Sequence, residues 1–169
     1  MSEAPEDLQE IYIGELQDLY SANDQMQRVL KKYVTKATDP RLKEMLTKSQ
    51  GGIEQHTALL KELIAAHEGK VSKEHCKGME GLVAEATKHA LEEGPDKGPL
   101  LDVIMIAQYQ RMSHYGIAGF GTAAAFAAAL GHTQDNKKLK AATKDIYGAD
   151  EYMTVLAETS VNLKAEAEA

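Results

Sequence analysis

The chain has no tryptophan, one cysteine, two phenylalanines and four prolines among its 169 residues. Each shortage removes a class of protein. A single cysteine, Cys76, excludes an internal disulfide framework and any multi-cysteine zinc site within one chain. With aromatics at 5%, a surface that stacks the bases of a single strand is not expected. Cations are in the minority: 19 Lys and Arg face 26 Asp and Glu, a formal charge of −7. A nucleic acid is therefore not the expected ligand. Period-two alternation long enough for a sheet is missing. The longest stretch without charge, Met112 to Gln134, contains His114 and His132 and is dominated by alanine and glycine. It reads as a buried helix and not as a membrane span. The start, MSEAPEDLQE, is acidic where a secretory signal is basic and then apolar, so a soluble, cytoplasmic protein is expected.

What is present is helix-forming sequence with few interruptions. The length suits one domain, residues 1–169, able to bury a core without staples. The first helix is expected over about 5–36, with Pro5 in its first turn and Leu8, Tyr12, Leu16, Leu19, Met26, Leu30 and Tyr33 on one stripe. Asp39 as N-cap and Pro40 at the first helical position open a second helix, about 39–68. A connection this short makes the two helices antiparallel neighbours. A long connection follows, carrying its own short amphipathic helix over about 76–92. Two further helices are expected over about 99–130, stopped by Gly131, and 135–163, with a frayed AEAEA tail. Two helical hairpins joined by one long crossover predict an all-α, ferritin-like four-helix bundle with an extra crossover helix. At 1.5 Å per residue its helices are roughly 45 Å long.

Ferritin-like bundles can hold two metal ions at mid-bundle, through a Glu on each of two helices and Glu-x-x-His on the other two. No Glu-x-x-His occurs on the four long helices, and His56 follows Ile53 at that spacing. The polar residues near the inner stripes are Glu15, Asp18, Asn23, Asp24, His56, Gln108, Ser113, His114, Asp145, Asp150 and Glu151. Spacing alone thus argues against a di-metal site. Glu15 and Asp18 are expected to face solvent or a subunit contact, and His56 reads as a hydrogen-bonded core histidine. Glycines are unusually frequent inside the helices: Gly51, Gly52, Gly116, Gly119, Gly121 and Gly148. Each costs up to about 1 kcal/mol relative to alanine. Close helix approach is the expected reason. The alternative is a central cavity that holds water or a small ligand.

The segments YIGELQDLYSAN, CKGMEGLVAEA, HYGIAGFGTAAAFAAALG and AETSVNLKAEA, in this order, are similar to those of the YciE/YciF family of bacterial ferritin-like stress proteins. The resemblance covers nearly the whole chain. It implies a ferritin-like bundle with a crossover helix, a homodimer and a role in stress responses. It also locates departures. Where family members carry carboxylates, this chain has Asn23, Gly52, Ser113, Gly116 and Ile146, while His56, Asp145 and Asp150 remain. Carboxylates facing one another in a dry core repel unless cations sit between them, so their joint loss removes both the site and the need for it.

The expectation is therefore a stress-response protein with a degenerate, metal-free bundle core, non-enzymatic, acting in binding or structure. No cofactor and no metal are expected, no membrane span and no nucleic acid, and the protein partner is not specified. The third reading within this frame is a small-molecule binder whose cavity is lined by Asn23, Gly52, Ser113 and Gly116. The alternative is an iron or manganese oxidoreductase with an atypical ligand set drawn from Glu15, Asp18, His56, His114, Asp145 and Asp150, of which His56, His114 and Asp150 come first. Cys76 is given no redox role.

Overall fold

The computed structural model describes residues 4–71 and 75–168, and among these there is no strand. The first helix, α1, spans Leu8–Lys36. It begins three residues after Pro5 because Asp7 takes the N-cap, its carboxylate accepting the Glu10 N–H at 2.8 Å. Glu10 in turn accepts the Glu6 N–H at 2.9 Å, tying the residue before the cap to the first turn. The second helix, α2, spans Pro40–Ala66, with Asp39 as N-cap and Pro40 at its start. The crossover carries α3, Lys77–Thr87, which continues through a π-helical turn at Lys88–Glu92. Cys76 caps α3, its sulfur accepting the Met79 N–H at 3.4 Å.

The second hairpin is α4, Pro99–Ala129, and α5, Thr133–Leu156. Gly131 joins them at φ 77°, a left-handed turn in which the His132 N–H reaches the Ala127 carbonyl at 2.8 Å. Beyond α5 a π-helical turn, Ala157–Val161, leads into α6, Asn162–Ala167, so residues 165–167 of the tail expected to fray are helical, and Ala169 lies outside the described residues. Most of the packing between elements runs within the hairpins, α1 on α2 and α4 on α5, and then between α1 and α4. The seam between α2 and α5 is much looser.

The core is split along the bundle. One apolar cluster, under α3, gathers Met26, Leu30, Tyr33, Leu46, Met79, Met105 and Met153. The other, at the far end, gathers Tyr12, Leu16, Leu19, Leu60, Leu63, Phe120 and Leu139. Burying each of these large side chains contributes on the order of 2 kcal/mol. The α3 end is further tied by the Tyr33 hydroxyl, which donates to the Ala86 carbonyl at 2.8 Å.

A buried polar clasp fixes the start of α2. Asp102, only 2% exposed, accepts the N–H groups of Thr38 and Asp39, both at 2.8 Å. Burial pushes the Asp102 carboxyl up, against the pull of those two N–H groups. Asp39 receives Lys164 at 2.8 Å and Arg41 at 3.2 Å. Burial alone would raise its carboxyl, but the charged donors Lys164 and Arg41 outweigh it and hold Asp39 far below the usual carboxylate range. The π-helical turn contributes Ser160, which accepts from the Arg41 guanidinium and closes the clasp from the α6 side.

Candidate functional site

Between the two apolar clusters the bundle does not close. All four long helices and Met79 of α3 surround a cavity of about 640 Å³. That volume suits a drug-sized molecule. Asn23 from α1, Gly52 from α2, and Ser113 and Gly116 from α4 all line it. Ile146 from α5 lines it as well, so the five positions where the family resemblance implies carboxylates converge on one space.

Its glycines differ from the close-packed kind expected from sequence. A Cβ added at Gly51, Gly52 or Gly148 meets nothing within 4 Å, and at Gly116 it meets only Ile146 Cδ1 at 3.4 Å. Gly121, which lies outside the cavity, is similarly open. Of the six glycines singled out in the sequence, close approach explains Gly119 alone, where an added Cβ would strike Leu19 Cδ2 and come within 3.2 Å of Glu15 Oε1. The physical reason is the facing helix. Gly119 meets fully buried Leu19 across the tight α1–α4 seam, whereas the glycines of α2 and α5 border the loose one.

The inner wall is apolar with a few neutral polar groups. Met26, Met45, Met79 and Met112 supply adaptable sulfur-containing walls. Ser49 and Tyr109 share a hydrogen bond of 2.8 Å between their hydroxyls. Burial pushes the Tyr109 phenol up, so it stays protonated. Ser113 is 2% exposed, and its Oγ has no partner in hydrogen-bonding geometry. Asn23 donates to Thr57 Oγ1 at 3.2 Å. The buried His56 ring packs on Phe120, with centroids 5.5 Å apart, and its Nε2 lies 3.4 Å from Asp145 Oδ2. Burial pushes the imidazole down, only partly offset by the Asp145 carboxylate. The inner wall is thus uncharged at neutral pH. Charge sits at the mouth, on the exposed side chains Lys48, Lys144 and Asp145.

The other sequence candidates lie apart. His114 Nε2 pairs with Asp150 Oδ2 at 3.0 Å on the outer side of α4 and α5, with the His114 side chain 59% exposed. Neither residue lines the cavity. Asp18 does not face solvent or a subunit contact alone, as the sequence suggested. It accepts the Tyr115 hydroxyl at 2.7 Å and the Cys76 thiol at 3.2 Å, fastening the start of α3 to α1 and α4. Glu15 is partly buried beside Gly119, and burial followed by the nearby Asp18 charge pushes its carboxyl up. Sequence reasoning missed this Asp18–Tyr115–Cys76 junction because its members are far apart in the chain. It also missed Ser49, Tyr109 and the two lysines at the mouth. Ser49, Tyr109 and Ser113 do fall on inner helical stripes, the one signal that pointed to them.

A carboxylate-bridged pair of ions does not fit the cavity. At the five positions where the family resemblance implies carboxylates, the lining carries an amide, a hydroxyl, two glycines and an isoleucine. Among the described residues no group of three or more His, Cys, Asp or Glu side chains is placed to hold a metal ion. Nor is any described helix long and apolar enough to cross a membrane.

Known proteins share this architecture. The chain is 31% identical to Protein YciF of Escherichia coli (strain K12) over 164 residues, covering 94% of this chain and 95% of that protein. The crystal structure of the E. coli stress protein YciF superposes with a TM-score of 0.86 at 28% identity, over 94% of this chain and 99% of that one. YcfI of Rhodopseudomonas palustris, provisionally described as a structural protein, superposes with a TM-score of 0.83 at 26% identity, over 91% and 97% of the two chains. Residues 7–166 match the family described as "Domain of unknown function (DUF892)". With that match, the YciF likeness and the same bundle, the chain belongs to the DUF892 family, the one that includes YciF.

Proposed function

We propose that this chain is a non-catalytic, small-molecule-binding member of its family, with the mid-bundle cavity as its binding site and no di-metal centre. A stress-related role follows from its likeness to the E. coli stress protein YciF. The observation that carries the binding reading is the glycine lining. Gly51 and Gly52, both half-buried, leave their Cβ positions open although each costs up to about 1 kcal/mol of helix stability relative to alanine. A purely structural bundle gains nothing from keeping that volume clear. The apolar wall with a few fixed polar groups is the usual composition of a ligand pocket.

The test is a titration with Nile red, a neutral apolar dye, against the wild type and the double variant Gly52→Leu/Gly116→Leu. Circular dichroism checks that both are folded. Dye binding by the wild type and its loss in the folded variant are expected. Equal binding by both, or none by the wild type, would overturn the reading. Elemental mass spectrometry after incubation with ferrous iron and manganese addresses the metal. Two tightly held ions per chain would restore the oxidoreductase alternative.

A further inference from the structure

We propose that the cavity selects neutral ligands that donate a hydrogen bond, alcohols above ketones of the same shape, with the Asn23 carbonyl oxygen as the acceptor that reads the donor. This rests on the binding reading above and assigns it a ligand class.

Thr57 sets the orientation of Asn23. Its hydroxyl donates to the Ile53 carbonyl at 2.7 Å, one turn back in α2. A hydroxyl has one hydrogen, so towards Asn23 it can only accept. The Asn23 amide therefore turns its NH2 group to Thr57, at 3.2 Å, and Oδ1 is left over. Asn23 is 8% exposed and lines the cavity. Among the described residues its Oδ1 receives no hydrogen bond, yet it is not sealed off as Ser113 Oγ is. The access left to it at mid-bundle is the cavity.

His56 adds a second acceptor from α2. Its ring is neutral, because burial outweighs the Asp145 carboxylate. Its Nε2 faces that carboxylate at 3.4 Å. A carboxylate only accepts, so the ring carries its hydrogen on Nε2 and Nδ1 keeps a lone pair. Among the described residues Nδ1 also has no partner and is not sealed.

The inner wall offers no matching donor. Ser113 Oγ is closed to the cavity, and the Ser49 and Tyr109 hydroxyls are occupied with each other. Tyr115 donates to Asp18. The donors on the lining, Lys48, Gln55, Lys144 and Tyr152, are exposed, where water competes for them. A ligand carbonyl oxygen buried against this wall loses its water and gains nothing, whereas a hydroxyl regains a bond at Asn23. Fixed polar groups reject the analogue that cannot pair with them. An ammonium also donates, but its charge is strongly penalised against a neutral wall.

The experiment is displacement of bound Nile red by menthol, menthone and menthylammonium, which share one apolar skeleton. Menthol is expected to bind about tenfold tighter than menthone, the worth of one recovered hydrogen bond, and tighter than the ammonium. Asn23→Leu, close to asparagine in volume, should bring menthol within about twofold of menthone while Nile red still binds. Asn23→Ala gives the same reading if the leucine variant does not fold. If Nile red binds and Gly52→Leu/Gly116→Leu abolishes it, the cavity reading stands. The ligand class is then wrong if menthol displaces the dye no better than menthone or the ammonium, or if the Asn23 variants keep the tenfold preference. If Nile red itself does not bind, both fail.

Discussion

The α1–α4 seam and the α2–α5 seam both carry glycine at mid-bundle, and the structure treats them in opposite ways. At Gly119 the missing side chain lets α4 settle onto Leu19, which is fully buried. At Gly51, Gly52 and Gly148 the missing side chains leave space. The first seam is fastened along its length, by Asp18 with Tyr115 and by Asp102 at the start of α2. The second is fastened near its ends, by Glu62–Lys138 on one side of the mouth and by Arg41–Ser160 and Asp39–Lys164 on the other. Between those ends, among the described residues, only the His56–Asp145 pair bridges it. A helical glycine is thus not evidence of close packing by itself. What the opposite helix presents decides whether the saved volume becomes contact or cavity.

The largest expected effect tests this directly. Gly119→Leu drives bulk into Leu19 and Glu15 and should cost about 3 kcal/mol, near the upper end for overpacking, as read by urea denaturation. Gly52→Leu should change stability by less than about 1 kcal/mol. Similar losses at both positions would erase the distinction between the seams.

Next in size is the clasp. Asp102→Ala strands the Thr38 and Asp39 N–H groups and should cost about 2 kcal/mol. Its partner Asp39 gives a pH signature. Because its folded-state pKa is depressed, its contribution is fully present above the unfolded carboxylate range near pH 4. It is lost as the pH falls towards the folded value, because the unfolded chain takes the proton first. Thermal melts between neutral pH and pH 3 should therefore show a shallower acid decline for Asp39→Asn than for wild type. Asp102, shifted the other way, offsets part of the wild-type slope and remains in the variant.

Tyr115→Phe removes the hydroxyl that joins Asp18 and should cost about 1.5 kcal/mol, while increasing hydrogen exchange in α3. The smallest effect is opposite in sign. Gly51→Ala, in open space on a helix, should stabilise by up to about 1 kcal/mol. A destabilising outcome would mean that α2 needs glycine for motion or for a contact absent from the free chain.

Much of the fold was legible in the chain because it depends on local patterns. Asp39-Pro40 opened α2 as read, and Gly131 follows the end of α4 in a left-handed turn. The start of α1 was misplaced because Pro5 is a permitted first-turn residue while Asp7 makes the better cap. The helical tail was missed because its support, the Lys164 contact with Asp39, comes from a helix start 125 positions away. In the site, the inward stripes pointed to Asn23 and Ser113, and the family resemblance added Gly52 and Gly116 as positions where carboxylates are implied. Neither could show whether those positions were packed or open.

The sequence by itself determined the helices and their pairing into two hairpins, because periodicity, caps and loop lengths act within a few residues, while the neutral layer across them was implied by the family resemblance. Only the tertiary structure decided which glycines close a seam and which open one. It also decided that Asp18 meets Tyr115 and Cys76, and that Lys48 and Lys144 border one mouth. Those outcomes depend on the distance between helices, which is set by the side chains of the partner helix and leaves no mark on the local sequence.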